Sequence, residues 1–355
     1  MSRKTVLLGP YPPPYGGVSI YIQTLFHSIK QRGVELWTYG DEEINAPNVF
    51  FMKDKRWDIL PLLIRRGFRA RIIDCTHFLI EYPGFLVPIW VVLKALLRFE
   101  WLKIVHDGSL PTRCRSFGPL QRLFFGLAIR AANEFVVVSE DLRRWLRDEI
   151  RVEQEITVIA PLLPIRGKAL DAALPADLER ALLPYLRRGK RVCSVGVFIP
   201  TYGFAHVAEA VESVREETGE DIGLVLLDGT FARDEDYRGG VLHGRDWITV
   251  LENVPNHSLY RILKQSHALV RAFGQESYGI SRVEGVWCGV PVVATRAGET
   301  RGMLVYDFGD ADGLKEQLKR ALFDPQAQVE AVWAEQFRRE AEENLRGLRR
   351  ALGLG

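Results

Sequence analysis

The chain has 355 residues, 47% of them hydrophobic and 26% charged, with a formal net charge of only +2. The length exceeds one ordinary hydrophobic core and implies two domains. The composition is that of a soluble globular protein, and the near balance of charge gives no global field for nucleic acid. Four cysteines (Cys75, Cys114, Cys193, Cys288) lie far apart without metal-ligand spacing, so reduced, buried thiols in a cytosolic protein are expected. The apolar run at residues 5–9 is too short for a signal peptide and reads as a core strand. The most apolar stretch, residues 86–97, contains Pro88 and Lys94 and is too short to span a bilayer.

In chain order, residues 6–9 form a buried strand that the Pro-Tyr-Pro-Pro-Pro-Tyr-Gly-Gly segment at 10–17 cannot continue. Gly16 and Gly17 permit close approach of a ligand or the start of a helix. Apolar residues then fall at Val18, Tyr21, Ile22, Leu25, Phe26 and Ile29, which is helical spacing, and Gly33 stops the run. With a strand at 34–39 this makes a βαβ unit with a ligand site at its glycine turn. Strands follow at 72–79, 103–106, 134–138 and 156–159, alternating with helices at 85–98, 119–131 and one capped by Ser139. Such alternation implies a parallel sheet covered on both faces. Residues 160–190 lose the pattern and read as an interdomain connection. A second α/β half has strands at 192–195, 222–227, 248–251, 268–270 and 292–294 and a helix at 204–214. Val329, Trp333, Phe337, Ala341, Leu345, Leu348 and Leu352 mark one face of a long last helix.

The most informative stretch runs from Arg271 to Thr295: a strand end, a polar loop with glycine, a short helix, a glycine stop and a second buried strand. Glu276 lies in the loop and Glu284 inside the helix, seven residues intervening. The amides that open the helix suit a phosphate, and the carboxylate of Glu284 suits the two hydroxyls of a ribose. Other strand ends carry Gly16-Gly17, His106-Asp107 and the segment 196–203, and ligands of parallel sheets bind outside such ends.

These segments together resemble the GT-B-fold glycosyltransferases of family 4, a retaining, metal-independent class that uses activated sugar nucleotides. The similarity spans Pro12 to Val18, Val105-His106-Asp107, Glu276 through Glu284, and Cys288 to Thr295. The resemblance implies an α/β fold of two Rossmann-like domains facing across a cleft, with the C-terminal helix returning toward the N-terminal domain. The N-terminal, acceptor-binding domain is expected at 1–165, a linker at 166–190, the nucleotide-sugar domain at 191–330 and the returning helix at 331–355. It also implies roles. Glu276 binds hydroxyls of the donor sugar and His106 lies beside the reacting sugar, as the catalytic pair. Gly16, Gly17, Gly196, Ser277, Tyr278, Gly279, Ile280 and Glu284 bind the donor. No cofactor or metal is expected, and UDP or GDP is the favoured nucleotide.

One departure bears on activity. The family writes Gly-Arg, four residues, Lys-Gly at the start of the second domain, and the two cations clamp the diphosphate. Here the frame reads Gly196 to Gly203, with Val197 and Tyr202 at the cationic positions. Arg271, Arg282 and Arg301 are the candidate replacements. A second departure is the Ile159-to-Pro164 segment, where the family often has an asparagine-glycine turn. Asp234-Glu235-Asp236 matches the acidic triplet of metal-dependent sugar transferases, although its surroundings read as a solvated loop.

The basic cluster 65–71 and the set Trp90, Lys94, Arg98, Trp101 and Lys103 suit anionic lipid headgroups, and a core helix with solvated flanks reads equally well. The expected function is transfer of a sugar from a nucleotide-diphosphate donor to a glycan or lipid-linked acceptor in polysaccharide, lipopolysaccharide or glycolipid synthesis. The location would be cytoplasmic, with a peripheral contact to the inner face of the cytoplasmic membrane if the basic surface serves lipid, and no nucleic acid as partner. The competing expectation, motivated by Val197 and Tyr202, is a GT-B protein that is inactive or uses an unusual donor and serves as a scaffold in glycan assembly.

Overall fold

A computed structural model describes residues 4–30, 33–77, 84–165 and 173–354. The last two residues of the strand expected at 72–79 and the first seven of the linker expected at 166–190 lie outside the described residues. The chain divides into two compact units. One comprises Met1–Pro13, Gly17–Leu163 and Glu343–Gly355; the other comprises Pro14–Gly16 and Pro164–Glu342.

The first unit is built on seven parallel strands: β1 (Thr5–Pro10), β2 (Glu35–Tyr39), β3 (Val49–Phe51), β4 (Arg71–Asp74), β5 (Glu100–Val105), β6 (Glu134–Val137) and β7 (Glu155–Val158). Their order is β3-β2-β1-β4-β5-β6-β7. Successive side chains of a strand point to opposite faces. Val6, Leu8 and Ile72 accordingly enter one core with Trp37, Trp101 and Phe135, whereas Leu7, Ile73 and Leu102 enter the other with Ile22 and Leu25. Helices α1 (Gly17–Ile29), α2 (Ile59–Arg66), α3 (Leu86–Leu97), α4 (Leu110–Arg115), α5 (Pro119–Ala131) and α6 (Glu140–Arg144) belong to this unit. Ser139 caps α6 by accepting from the Leu142 amide at 3.3 Å.

The second unit repeats the plan with β8 (Lys190–Gly196), β9 (Ile222–Asp228), β10 (Ile248–Glu252), β11 (Ala268–Arg271), β12 (Val292–Thr295) and β13 (Leu304–Tyr306), in the order β10-β9-β8-β11-β12-β13, all parallel. The order reverses between β8 and β11, the position where doubly wound sheets open a ligand crevice. The loops after Gly196 and Arg271 both leave the sheet there.

The segment read as an interdomain connection contains α7 (Ala176–Leu186). Leu182 and Tyr185 are buried, and the Tyr185 hydroxyl lies 2.6 Å from Ser266 Oγ in the second unit. Pro184 and the scatter of arginines hid its period. The remaining helices of this unit are α8 (Phe204–Thr218), α9 (Glu235–Leu242), α10 (Asn256–Lys264), α11 (Ile280–Trp287) and α12 (Ala311–Phe323). The C-terminal helix α13 (Ala331–Ala351) begins in the second unit and ends in the first. There Leu345, Leu348 and Leu352 fill the core around Leu7 and Ile22. Asn344 donates to the Leu162 carbonyl at 3.0 Å, and Arg71 to the Ala351 carbonyl at 2.7 Å. No described helix is long and apolar enough to cross a membrane.

Candidate functional site

In the second unit, β11 ends at Arg271 and the chain turns through Ala272-Phe-Gly-Gln-Glu276 into α11. Gly279 sits just before that helix at φ +88°, a left-handed conformation that favours glycine. A Cβ there would stand 2.8 Å from Arg282 Cδ and 3.1 Å from Glu276 Cγ. The requirement is therefore both conformational and spatial. Glu276 Oε2 accepts from Arg271 Nε at 2.9 Å, and both side chains are about nine-tenths buried. The Arg271 guanidinium also donates to the Val195 carbonyl and lies over the rings of Tyr202 and Phe273, at 4.9 and 5.4 Å. Those rings stack at 4.5 Å with an interplanar angle of 18°. Burial opposes the charge on Arg271, but Glu276 and Tyr202 together outweigh it and raise the guanidinium pKa.

Glu284 is 4% exposed on α11. Its Oε1 accepts from the Tyr260 hydroxyl at 3.0 Å and from Asn256 Nδ2 at 3.1 Å, both on α10. Burial pushes the carboxyl up to about 7, only partly offset by the Tyr260 hydrogen bond. α10 escaped the sequence reading, although Asn256 and Tyr260 at four-residue spacing on an apolar-striped segment were its signal. Tyr278 is buried, its hydroxyl pKa raised by that burial, and its carbonyl accepts from the Glu299 amide at 2.9 Å. Ser277 and Ile280 are half-buried at the mouth of α11.

The frame at Gly196 to Gly203 is filled. Val197 is fully buried in the unit's interior, so an arginine in its place would put a cation where an isopropyl group now packs. Tyr202 is held in the aromatic stack, and a Cβ on Gly196 would meet its ring at 2.8 Å. Of the three replacement cations, Arg282 is fully buried and donates to the carbonyls of Thr295 (3.1 Å) and Ala297 and to Thr295 Oγ1 (2.7 Å). Arg301 holds Glu299 and Glu340 and lies 5.0 Å over Phe337. Both are committed to the scaffold, and Arg271 is the one at the loop carrying Glu276. Asp234, from the acidic triplet, caps α9 by accepting from the Tyr237 amide at 3.0 Å.

In the first unit, Gly17 is the first residue of α1, and a Cβ on it would meet nothing within 4 Å. Gly16 groups with the second unit, where a Cβ would stand 3.3 Å from the Phe231 ring. His106 follows β5, edge-on to Tyr21 at 4.5 Å. Burial, then His77 and Lys103, push its pKa down to about 3, so the imidazole is neutral at any working pH. Asp107 accepts from Ser109 and Arg113 and so holds the turn into α4.

The expected lipid-facing set needs correction. Trp90, Trp101 and Lys103 are 8%, 5% and 1% exposed. Lys103 Nζ lies 3.0 Å from Asp74 Oδ2, which also accepts from Trp101 Nε1 at 3.0 Å. A buried cation needs such pairing, and the partner on β4 was out of sight in the local sequence. Beside this pair, Ile59, Leu86, Val87, Trp90 and Ala128 line an apolar cavity of about 50 Å³.

Residues 185–339 match the family model described as Glycosyl transferases group 1. Among curated proteins, none matches the chain significantly. Solved structures do. A sucrose-phosphate synthase from Thermosynechococcus elongatus is 17% identical with a TM-score of 0.68, over 99% of this chain and 97% of that one. An E. coli trehalose-6-phosphate protein bound with UDP-2-fluoro glucose is 13% identical with a TM-score of 0.72, over 98% and 99%. Anabaena HepE in complex with UDP-glucose is 15% identical with a TM-score of 0.69, over 98% of both chains. The fold is GT-B. The GT-B second unit carries the family match, and it also holds Glu276 and Glu284.

Proposed function

We propose that this protein is a retaining, metal-independent glycosyltransferase of family 4 that moves a hexosyl group from a nucleoside diphosphate sugar to a glycan or lipid-linked acceptor. The observation that carries the reading is the pairing of two differently held carboxylates around one glycine-opened helix. Glu276 is anchored by Arg271, whereas Glu284 is buried among hydroxyl and amide donors. Glu276 then binds hydroxyls of the donor sugar, and Glu284 takes ribose hydroxyls. The amides at Ser277 to Ile280 face the phosphates, and the glycine loop at Gly16 and Gly17 serves the donor as well. The bond from the anomeric carbon to the diphosphate oxygen breaks, and the acceptor oxygen bonds to that carbon on the same face. The acceptor's proton passes to the leaving phosphate. Neutral His106 offers the sugar a hydrogen bond and no charge. Arg271 is itself held by Glu276 and the Val195 carbonyl, but it stands at the end of β11 beside the loop that carries Glu276, and on that position we assign it to the diphosphate. The UDP-glucose complex of a neighbour of this fold supports UDP as the first donor to try.

UDP, GDP, ADP and CDP tested by thermal shift, followed by nucleotide release from the matching sugar donors, decide the matter. A raised Tm with one nucleotide and its release in the presence of an acceptor extract is the expected outcome. No stabilisation by any nucleotide and no transfer would sink the proposal. It would also favour the second reading, a scaffold protein in glycan assembly, whose specific observation is the filled frame at Val197 and Tyr202.

Glu284 makes a separate prediction. Its carboxyl titrates near its ordinary 4.5 when unfolded and near 7 when folded, so the folded state holds the extra proton between those values. This contribution to stability is fully present below pH 4.5 and is lost as pH rises through about 7. Urea unfolding across that window should show the falling limb in the wild type and its absence in Glu284→Gln, which should also bind nucleotide more weakly. Parallel pH profiles of the two proteins would contradict the assignment.

A further inference from the structure

The connection from β9 to α9 carries Phe231, whose ring is 48% exposed. Thr230, just before it, sits at φ +58°, a left-handed conformation that a β-branched residue adopts only when its surroundings impose it. Here they do. The Thr230 amide donates to Asp228 Oδ1 at 3.0 Å, and its hydroxyl donates to Asn253 Oδ1 at 2.9 Å. Two residues after Phe231, Arg233 pairs with Asp228 Oδ2 at 2.6 Å and with Glu252 Oε1 at 2.7 Å. Asp228 itself is fully buried, and the Asp234 amide ties the loop to the Phe198 carbonyl at 2.8 Å. A buried acid, an arginine and a strained threonine thus fix a loop whose central side chain stays at the surface. Strained backbone of this kind clusters at ligand clamps.

The ring is also bedded. Gly16 and Gly229 both belong to the second unit, and Cβ atoms on them would stand 3.3 and 3.2 Å from Phe231. A Cβ on Gly229 would also collide with the Tyr15 carbonyl, so glycine there brings backbone against the ring. Tyr202 stands edge-on to Phe231 at 6.1 Å and is stacked on Phe273 beside Arg271. The aromatic surface at the β8–β11 crevice is thereby continued along the carboxyl ends of β9 and β10. Asn253, which receives the Thr230 hydroxyl, lies three residues before Asn256, which in turn holds Glu284.

We propose that Phe231 is a stacking platform for the nucleobase of the donor, a role that rests on the nucleotide-sugar reading of this site. With Glu284 on the ribose, the attached base falls to the loops that end β9 and β10. The donor's other ring, the hexose, belongs with Glu276 after β11. In the sheet, β11 lies two strands from β9, or about 10 Å at the usual strand spacing. Every nucleobase has a π face, and an aromatic ring fixed before binding stacks on it with little further ordering. Because stacking tolerates any base, Phe231 contributes affinity for the nucleotide and little choice among nucleotides.

Titration calorimetry of the full chain with UDP, GDP, ADP and CDP tests this. For each nucleotide that the wild type binds, Phe231→Ala should weaken binding about tenfold or more, by the same factor for the mono- and diphosphate. Phe231→Trp should bind at least as tightly as the wild type, and its added indole fluorescence should be quenched when nucleotide enters. An unchanged Tm without ligand verifies that the surface substitution leaves the fold intact. If Phe231→Ala lowers Tm, the Trp variant, which keeps a ring in place, decides alone. Wild-type affinity in Phe231→Ala, or a loss confined to the diphosphate, would overturn the stacking and leave the transfer reading standing. An added indole that does not respond to nucleotide would do the same. A wild type that binds none of the four nucleotides would remove both.

Discussion

Glu276→Ala is expected to lower sugar transfer by about 10²–10³-fold, the usual effect of deleting one electrostatic contact to a reacting group. The variant has a second consequence, because Arg271 is 8% exposed and would lose its carboxylate. An uncompensated buried cation destabilises a fold whether or not the partner acts on substrate. Pairing the change with Arg271→Leu separates the effects. The double variant should regain much of the stability lost by Glu276→Ala, read from urea midpoints, and none of the activity. Nucleotide binding should survive Glu276→Ala, since Glu284 is held by Tyr260 and Asn256 on another helix. Turnover within a few-fold of wild type, with the fold intact, would remove Glu276 from the site.

Arg282→Ala is expected to cost about 3–5 kcal/mol of stability, the range for removing one partner from a buried charged network. Arg282 is fully buried and ties the end of β12 to the loop that carries Glu276, through the carbonyls of Thr295, Ala297 and Phe273 and the Thr295 hydroxyl. Burial lowers its pKa to about 10, which still leaves it cationic at neutral pH. Arg282→Lys should lose nearly as much, because a single ammonium cannot reach acceptors that a planar fork spans. A wild-type unfolding midpoint combined with lost nucleotide affinity would show instead that Arg282 serves the diphosphate.

The contrast between Arg271 and Arg282 marks the limit of what the sequence conveys. Apolar runs bounded by glycine and proline revealed most of the parallel strands, and the strand-loop-helix rhythm revealed the doubly wound plan. Glu276, Gly279 and Glu284 were legible because loop, turn and helix are local. Which way a side chain faces is set by distant neighbours. Val197 points into the core, Lys103 meets Asp74 across two strands, and Arg282 turns toward carbonyls of the following strand. Helices α7, α9 and α10 were missed because Pro184, paired glycines and short length obscured their period. The apolar stretch at α3 was recognised at once, but the exposure of Ile89, Val92 and Leu96 was visible only once the helix was placed.

The division of α13 between units bears on the order in which this protein matures. Leu345, Leu348 and Leu352 complete the core around Leu7, Ile22 and Leu25, yet 179 residues separate Leu163 from Glu343, where the first unit resumes. At about 5–20 residues per second, translation of that interval takes on the order of 10–40 s. The first unit to leave the ribosome therefore waits with part of its interior uncovered while the second, which apart from Pro14–Gly16 runs from Pro164 to Glu342, is made and can close. A chain cut after the second unit would keep a self-sufficient β8–β13 sheet and leave the earlier half without the side chains that seal it.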